Sequence, residues 1–172
     1  MRKIGPIILD PCSNDASTVD AQFEFFGVDQ DGFDGLGEPW GKWVRQGRAP
    51  GVVYVNPPYG SEVVGWAEKM CDEAEELKRN PKWLGTIALL PCRTDPDWMH
   101  RYVFGTVKEK PAICASNAWV FWRGRWQFGN PPPPIPGKKQ SKSNTVPSLV
   151  AFWGPAVDQF CDIFGDGGLL IR

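Results

Sequence analysis

Short apolar runs broken by proline, glycine and aspartate divide this chain, and two hydrophobic periods run through it. Ile7-Ile8-Leu9 predicts a first strand, stopped by Asp10-Pro11-Cys12-Ser13-Asn14, and Phe23-Glu24-Phe25-Phe26 predicts a second, followed by a Gly/Asp-rich loop through Leu36. Trp40 and Trp43 mark a short helix or loop between Glu38 and Pro50, packed under the sheet. Gly51-Val52-Val53-Tyr54-Val55, apolar and β-branched, predicts a short buried strand that ends at Asn56-Pro57-Pro58-Tyr59. A helix is then expected from Ser61 as N-cap, because Val63, Trp66, Ala67, Met70, Ala74 and Leu77 recur at helical spacing. Glu68, Asp72, Glu73, Glu75, Glu76 and Lys78 fall opposite, on an expected solvated face. Thr86–Leu90 predicts another buried strand, and Asp95-Pro96 opens a helix to about Phe104-Gly105 in the favoured order of cap and N1 proline. Further strands are expected at Ala112–Ala115, Ala118–Trp122 and Leu149–Trp153, before a last short helix opened by Gly154-Pro155 and running through Ile163.

Strands alternate with helices through the middle of the chain, which argues for α/β order: a largely parallel sheet with antiparallel strands toward the C-terminus. The 172 residues fit a single domain, spanning 1–172, with no internal repeat and no dividing linker. The segment 130–145, with Pro131-Pro132-Pro133-Pro134 and then Lys138, Lys139 and Lys142, suits neither element and is expected to be an extended basic loop.

Charge and cysteine content narrow the picture. Six basic residues (Lys110, Arg123, Arg125, Lys138, Lys139 and Lys142) and no acidic one lie between Glu109 and Asp158, in a chain of net charge −1. Such a positive stripe suits a polyanionic partner; a basic, solvated loop is the plainer explanation. No apolar run approaches the roughly 18 residues of a membrane span, and no signal peptide is expected ahead of the first strand. Five cysteines without a C-x-x-C pair argue against a disulfide framework or zinc site and for a reducing, cytoplasmic setting, with no metal.

The chemistry gathers at strand ends, the ligand-binding edge of open α/β sheets. The Asn56 side-chain oxygen and the Pro57 carbonyl offer two acceptors, while Pro57 and Pro58 add no N–H and stiffen the turn. With the aromatic Tyr59 next, such a loop suits gripping both hydrogens of an exocyclic amine. Asn-Pro also marks ordinary turns, so the surroundings decide. Asp10, with Pro11, Cys12 and Ser13, suits the ammonium group of S-adenosylmethionine, and Asp29 or Asp31 suits its ribose hydroxyls; each aspartate taken singly also reads as a turn former. The Gly-rich turn usual in nucleotide sites is absent after the first strand, and Asp-Pro-Cys-Ser replaces it.

These residues resemble the phage DNA N-6-adenine-methyltransferase (Dam-type) family. The resemblance runs through Leu9-Asp10-Pro11-Cys12-Ser13, Asp34-Gly35-Leu36 followed by Trp40 or Trp43, Val55-Asn56-Pro57-Pro58-Tyr59-Gly60 and Trp66. It continues through Leu89-Leu90-Pro91-Cys92-Arg93-Thr94-Asp95, Trp98-Met99-His100, Gly124-Arg125-Trp126-Gln127-Phe128 and Pro147-Ser148-Leu149-Val150-Ala151-Phe152. It implies a Rossmann-like methyltransferase fold, S-adenosylmethionine as donor, double-stranded DNA as partner, N6-methyladenine as product, and a place in the cytoplasm of a bacterial host. Asn56, Pro57, Pro58 and Tyr59 would then form the catalytic loop. Arg93, Arg123, Arg125, Lys138, Lys139, Lys142, Ser143 and Asn144 are the candidate DNA contacts, Arg93 having Asp95 or Asp97 as competing partners. Trp119 and Trp122 are expected to be core aromatics, and His100, the only histidine, a structural or surface residue. Two other readings stay open: an N-methyltransferase acting on RNA or a protein glutamine amide, and an inactive relative that binds DNA.

Overall fold

The computed structural model describes residues 3–15, 17–27, 29–30, 32–106, 115–124 and 146–172. They build a mixed α/β structure around one seven-stranded sheet. Its strands are β1 (Ile7–Asp10), β2 (Phe23–Glu24), β3 (Gly51–Val55), β4 (Trp83–Pro91), β5 (Ala118–Trp122), β6 (Ser148–Trp153) and β7 (Gly168–Ile171), in the spatial order β2-β1-β3-β4-β6-β5-β7. The first four are parallel to one another, whereas β6 runs antiparallel to both β4 and β5, and β7 antiparallel to β5.

The continuous apolar runs are explained by burial on both faces. Val53, Val55, Ala88 and Leu90 face helices α1 (Trp40–Gln46) and α2 (Val63–Leu77), together with a π-helical turn at Met99–Val103. Val52, Tyr54, Ile87, Leu89, Val150 and Phe152 face the other way, onto Phe160 and Phe164 of α3 (Val157–Phe164). Trp119 and Trp122 lie on β5 and pack against the first and second of these layers respectively, as core aromatics. Gly85 allows β4 and β6 to close: a Cβ there would lie 2.2 Å from the Phe152 ring.

Several boundaries differ from the sequence expectation. Ser61 does not cap α2; Glu62 holds the cap position without a side-chain bond, and the Gly60 carbonyl accepts the Val63 N–H at 3.4 Å. The helix after Asp95-Pro96 starts at Asp97 but widens into the π turn, where the Phe104 N–H bonds the Met99 carbonyl at 2.9 Å. The second strand stops at Glu24, because Phe25 turns inward onto Phe33 and Trp43, with ring centroids 5.2 and 5.1 Å away. Glu73 is not solvated: it is buried, and Lys69 pairs with it at 2.8 Å. β7 has no counterpart in the sequence expectation, whose last element is the helix through Ile163. The expected strand at 112–115 falls mostly outside the described residues, and Ala115 itself is not in a strand. No helix among the described residues is long and apolar enough to cross a membrane.

Candidate active site at the sheet's carboxyl edge

The chain order creates one break in the sheet's winding. From β1 the path goes outward to β2 on one side, then crosses to β3 on the other side of β1 and on to β4. Where neighbouring connections leave in opposite directions a crevice opens at the carboxyl ends of the strands, and open α/β sheets bind ligands there. The two turns at that point are Asp10-Pro11-Cys12-Ser13, after β1, and Asn56-Pro57-Pro58-Tyr59, after β3. They touch: the Asn56 main-chain N–H donates to Cys12 Sγ at 3.2 Å.

Asp10 closes β1 and is 3% exposed. One carboxylate oxygen accepts the Cys12 N–H at 3.2 Å, and no basic side chain among the described residues pairs with it. Burial, reinforced by the nearby Glu24 charge and only partly offset by the Cys12 hydrogen bonds, pushes its pKa up to about 6. It is a buried, uncompensated carboxylate that a bound cation would relieve. Glu24 stands beside it, in register across β1 and β2, and accepts the Ser13 hydroxyl at 3.4 Å. Glu24 therefore occupies the carboxyl end of the second strand, the position from which an acid reaches ribose hydroxyls in doubly wound sheets. The sequence reading assigned that role to Asp29 or Asp31. Asp29 is exposed in the turn beyond, and Asp31 lies outside the described residues. The available signal was a lone acid between phenylalanines in Phe23-Glu24-Phe25.

Pro57 is buried, Pro58 exposed, and Asn56 half-buried. Among the described residues, no hydrogen bond is found to the Asn56 side-chain amide or to the Pro57 carbonyl. Tyr59 is half-buried. Its hydroxyl is buried against Ser148, the first residue of β6, close enough for Ser148 to favour the phenolate but without the geometry of a hydrogen bond. Burial outweighs that influence and pushes the phenol up to about 12. The ring face, not the hydroxyl, is what Tyr59 can offer a ligand. Tyr54 lies beneath the turns. Burial, together with neighbouring Asp10, Cys12 and Tyr59, raises its pKa well above the usual phenol range.

The Asp34-Gly35-Leu36 segment closes over the first turn. A Cβ on Gly35 would sit 1.9 Å from the Pro11 carbonyl oxygen, so only glycine permits this approach. Asp34 Oδ1 accepts the Leu36 N–H at 2.9 Å, and the Trp40 indole N–H donates to the Gly35 carbonyl at 2.8 Å.

The same edge continues across β4, β6 and β5. Pro91 of β4 lies opposite Ser148, and the Cys92 N–H donates to the Pro147 carbonyl at 2.7 Å. Arg93 is engaged by Asp95, with Nη2–Oδ2 at 3.1 Å, both side chains exposed. His100 braces this corner: its Nε2 donates to the Thr94 carbonyl at 2.8 Å and its Nδ1 lies 2.9 Å from the Thr106 hydroxyl, a structural role. Arg123 follows β5, exposed, and donates to the Asp166 carbonyl at 3.1 Å. At about 4.8 Å per strand, it lies roughly 15 Å along the edge from Asn56. Arg125, Lys138, Lys139, Lys142, Ser143 and Asn144 lie outside the described residues. Gly124 and Val146, which flank that stretch, both stand on this carboxyl edge.

The described cysteines, Cys12, Cys71, Cys92 and Cys161, are free thiols. No family model matches the chain, and no curated protein or solved structure is found to be similar to it.

Proposed function

We propose that this protein is an S-adenosylmethionine-dependent methyltransferase that modifies the N6 amine of adenine in DNA. The observation that carries the reading is the contact, at the sheet's switch point, between a turn bearing a buried carboxylate, Asp10, and the turn that bears Asn56 and Pro57. The order of the sheet, with β6 reversed between two strands of the forward direction, agrees with a Rossmann-like methyltransferase fold.

The residues present fit the cofactor. Asp10 would accept its ammonium group, which relieves the cost of burying that charge, while Glu24 and Ser13 would meet the ribose hydroxyls beside it. S-adenosylmethionine, when bound, supplies a methyl group already activated on a sulfonium, so no residue has to act as a base before attack. Asn56 and the Pro57 carbonyl would hold the two amine hydrogens and turn the nitrogen lone pair, delocalised into the purine ring, toward the donor. This is electrostatic preorganisation and alignment. Pro57 and Pro58 keep competing N–H donors out of the turn. Drawing the adenine out of a duplex costs a few kcal/mol, and stacking on the Tyr59 ring would return about 1–3 kcal/mol. Arg93 and Arg123 stand along the same edge, where phosphates would run. The exposed Arg93–Asp95 pair is weak enough to exchange for one.

The test is direct: incubate the protein with labelled cofactor and unmodified duplex DNA, with RNA and a glutamine-bearing protein as parallel substrates. Transfer to adenine N6 in DNA is expected. Transfer only to RNA or to the amide would replace the substrate assignment, and transfer to nothing would leave a DNA-binding relative. Asn56→Ala is expected to abolish transfer while leaving DNA affinity within about threefold, because Asn56 meets the base and not the phosphates.

A further inference from the structure

We propose that Cys12 is a positioning residue, whose sulfur fixes the catalytic loop to the cofactor turn by accepting the Asn56 main-chain N–H. This rests on the methyltransferase reading and deepens it. The first turn is held rigidly. Asp10 Oδ1 accepts the Cys12 N–H at 3.2 Å, and Gly35 lies against the Pro11 carbonyl with no room for a Cβ. The second turn is joined to the first at 3.2 Å through Cys12 Sγ, across 44 residues of sequence. Asp10, Cys12 and Asn56 thus form one unit, with the donor-side carboxylate at one end and the acceptor-side amide at the other.

The sulfur suits the gap. Burial and the neighbouring Asp10 carboxylate push the Cys12 thiol well above its usual pKa, which keeps it protonated at neutral pH while its sulfur accepts from Asn56. A protonated, half-buried thiol is also a poor nucleophile, which argues against a redox or covalent role. What Cys12 governs is register. Methyl transfer is an in-line displacement, and its rate depends on how closely an amine held after β3 lines up with a sulfonium held after β1. Cys12 itself touches neither reacting atom.

Three measurements on the full chain test this: S-adenosylmethionine affinity by calorimetry, single-turnover methyl transfer to duplex DNA at saturating cofactor, and hydrogen exchange of the Asn56 amide. Cys12→Ala is expected to leave cofactor affinity within about threefold, to slow single-turnover transfer by about 10–100-fold and to speed Asn56 amide exchange. Cys12→Ser, whose hydroxyl can take the same N–H, is expected to recover most of both. The proposal is overturned if Cys12→Ala transfers at the wild-type rate, if its loss lies wholly in cofactor affinity, or if Cys12→Ser is as slow as Cys12→Ala. Should the wild-type protein transfer nothing, the methyltransferase reading fails, and the exchange measurement still decides the tether. Faster exchange in Cys12→Ala that Cys12→Ser reverses supports it; unchanged exchange removes it.

Discussion

Asp10 shows how a single buried residue can be costly for folding. Its folded pKa of about 6 lies above the ordinary carboxylate value of 3.8, so the folded protein resists losing that proton. The penalty is therefore fully present above about pH 6 and vanishes as pH falls below about 4. A shift of about two units corresponds to about 3 kcal/mol. Asp10→Asn keeps an acceptor for the Cys12 N–H and removes the charge. It is therefore expected to stabilise the cofactor-free protein by up to about 3 kcal/mol at pH 8 in chemical denaturation, with the gain shrinking toward pH 4. The same change should remove the cation's partner. Calorimetry would show S-adenosylmethionine affinity lost in Asp10→Asn at every pH, and falling in the wild-type protein as pH drops through about 6. A variant that gains no stability at pH 8 would show that the carboxylate carries no such burden.

Among the elements, α2 separates what periodicity reveals from what it hides. Val63, Trp66, Ala67, Met70, Ala74 and Leu77 are all buried, as their spacing requires. Glu73 is buried with them and neutralised by Lys69, one turn earlier. Charge type alone put Glu73 on the solvated face, since carboxylates are seldom buried unless paired. Whether a pair forms depends on what covers the helix flank. Lys69 also lies over the Trp40 ring of α1, 5.8 Å from its centroid, so the helix–helix contact draws the pair inward. Lys69→Met is accordingly expected to destabilise the protein by about 1–3 kcal/mol in urea unfolding, as a buried carboxylate loses its partner. A purely solvated flank would give a change within about 0.5 kcal/mol. The π turn at Met99–Val103 follows the same logic. The Asp95-Pro96 start signal was legible, but the widening depends on closure by Phe104 and on the His100 bonds to Thr94 and Thr106, which no local period encodes.

At the scale of the whole molecule, one edge of the sheet collects both turns of the candidate site, the Arg93 and Arg123 corners and both flanks of the basic, proline-rich stretch. On the function proposed above, a duplex would lie along this edge. Replacing Lys138, Lys139 and Lys142 together by alanine is expected to weaken DNA binding and to flatten the logarithmic salt dependence by up to about three, close to one for each phosphate no longer neutralised. Fluorescence anisotropy over a salt series would measure this, and an unchanged slope would take those lysines out of the interface.

The sequence by itself determined the strands β1, β3, β4, β5 and β6, the apolar face of α2, the parallel-then-antiparallel character of the sheet and the two polar turns that end β1 and β3. Each is written in local chemistry: runs of β-branched and apolar residues, helical spacing, and prolines that halt a strand. The tertiary structure alone decided that β3 lies beside β1, so that Cys12 meets Asn56, that Glu24 stands next to Asp10, that the Tyr59 hydroxyl rests on Ser148, and that Gly168–Ile171 finds a partner in β5. These are contacts between residues distant along the chain. Their physical origin is the order in which strands pack to bury both faces of the sheet, and no short window of sequence contains that order.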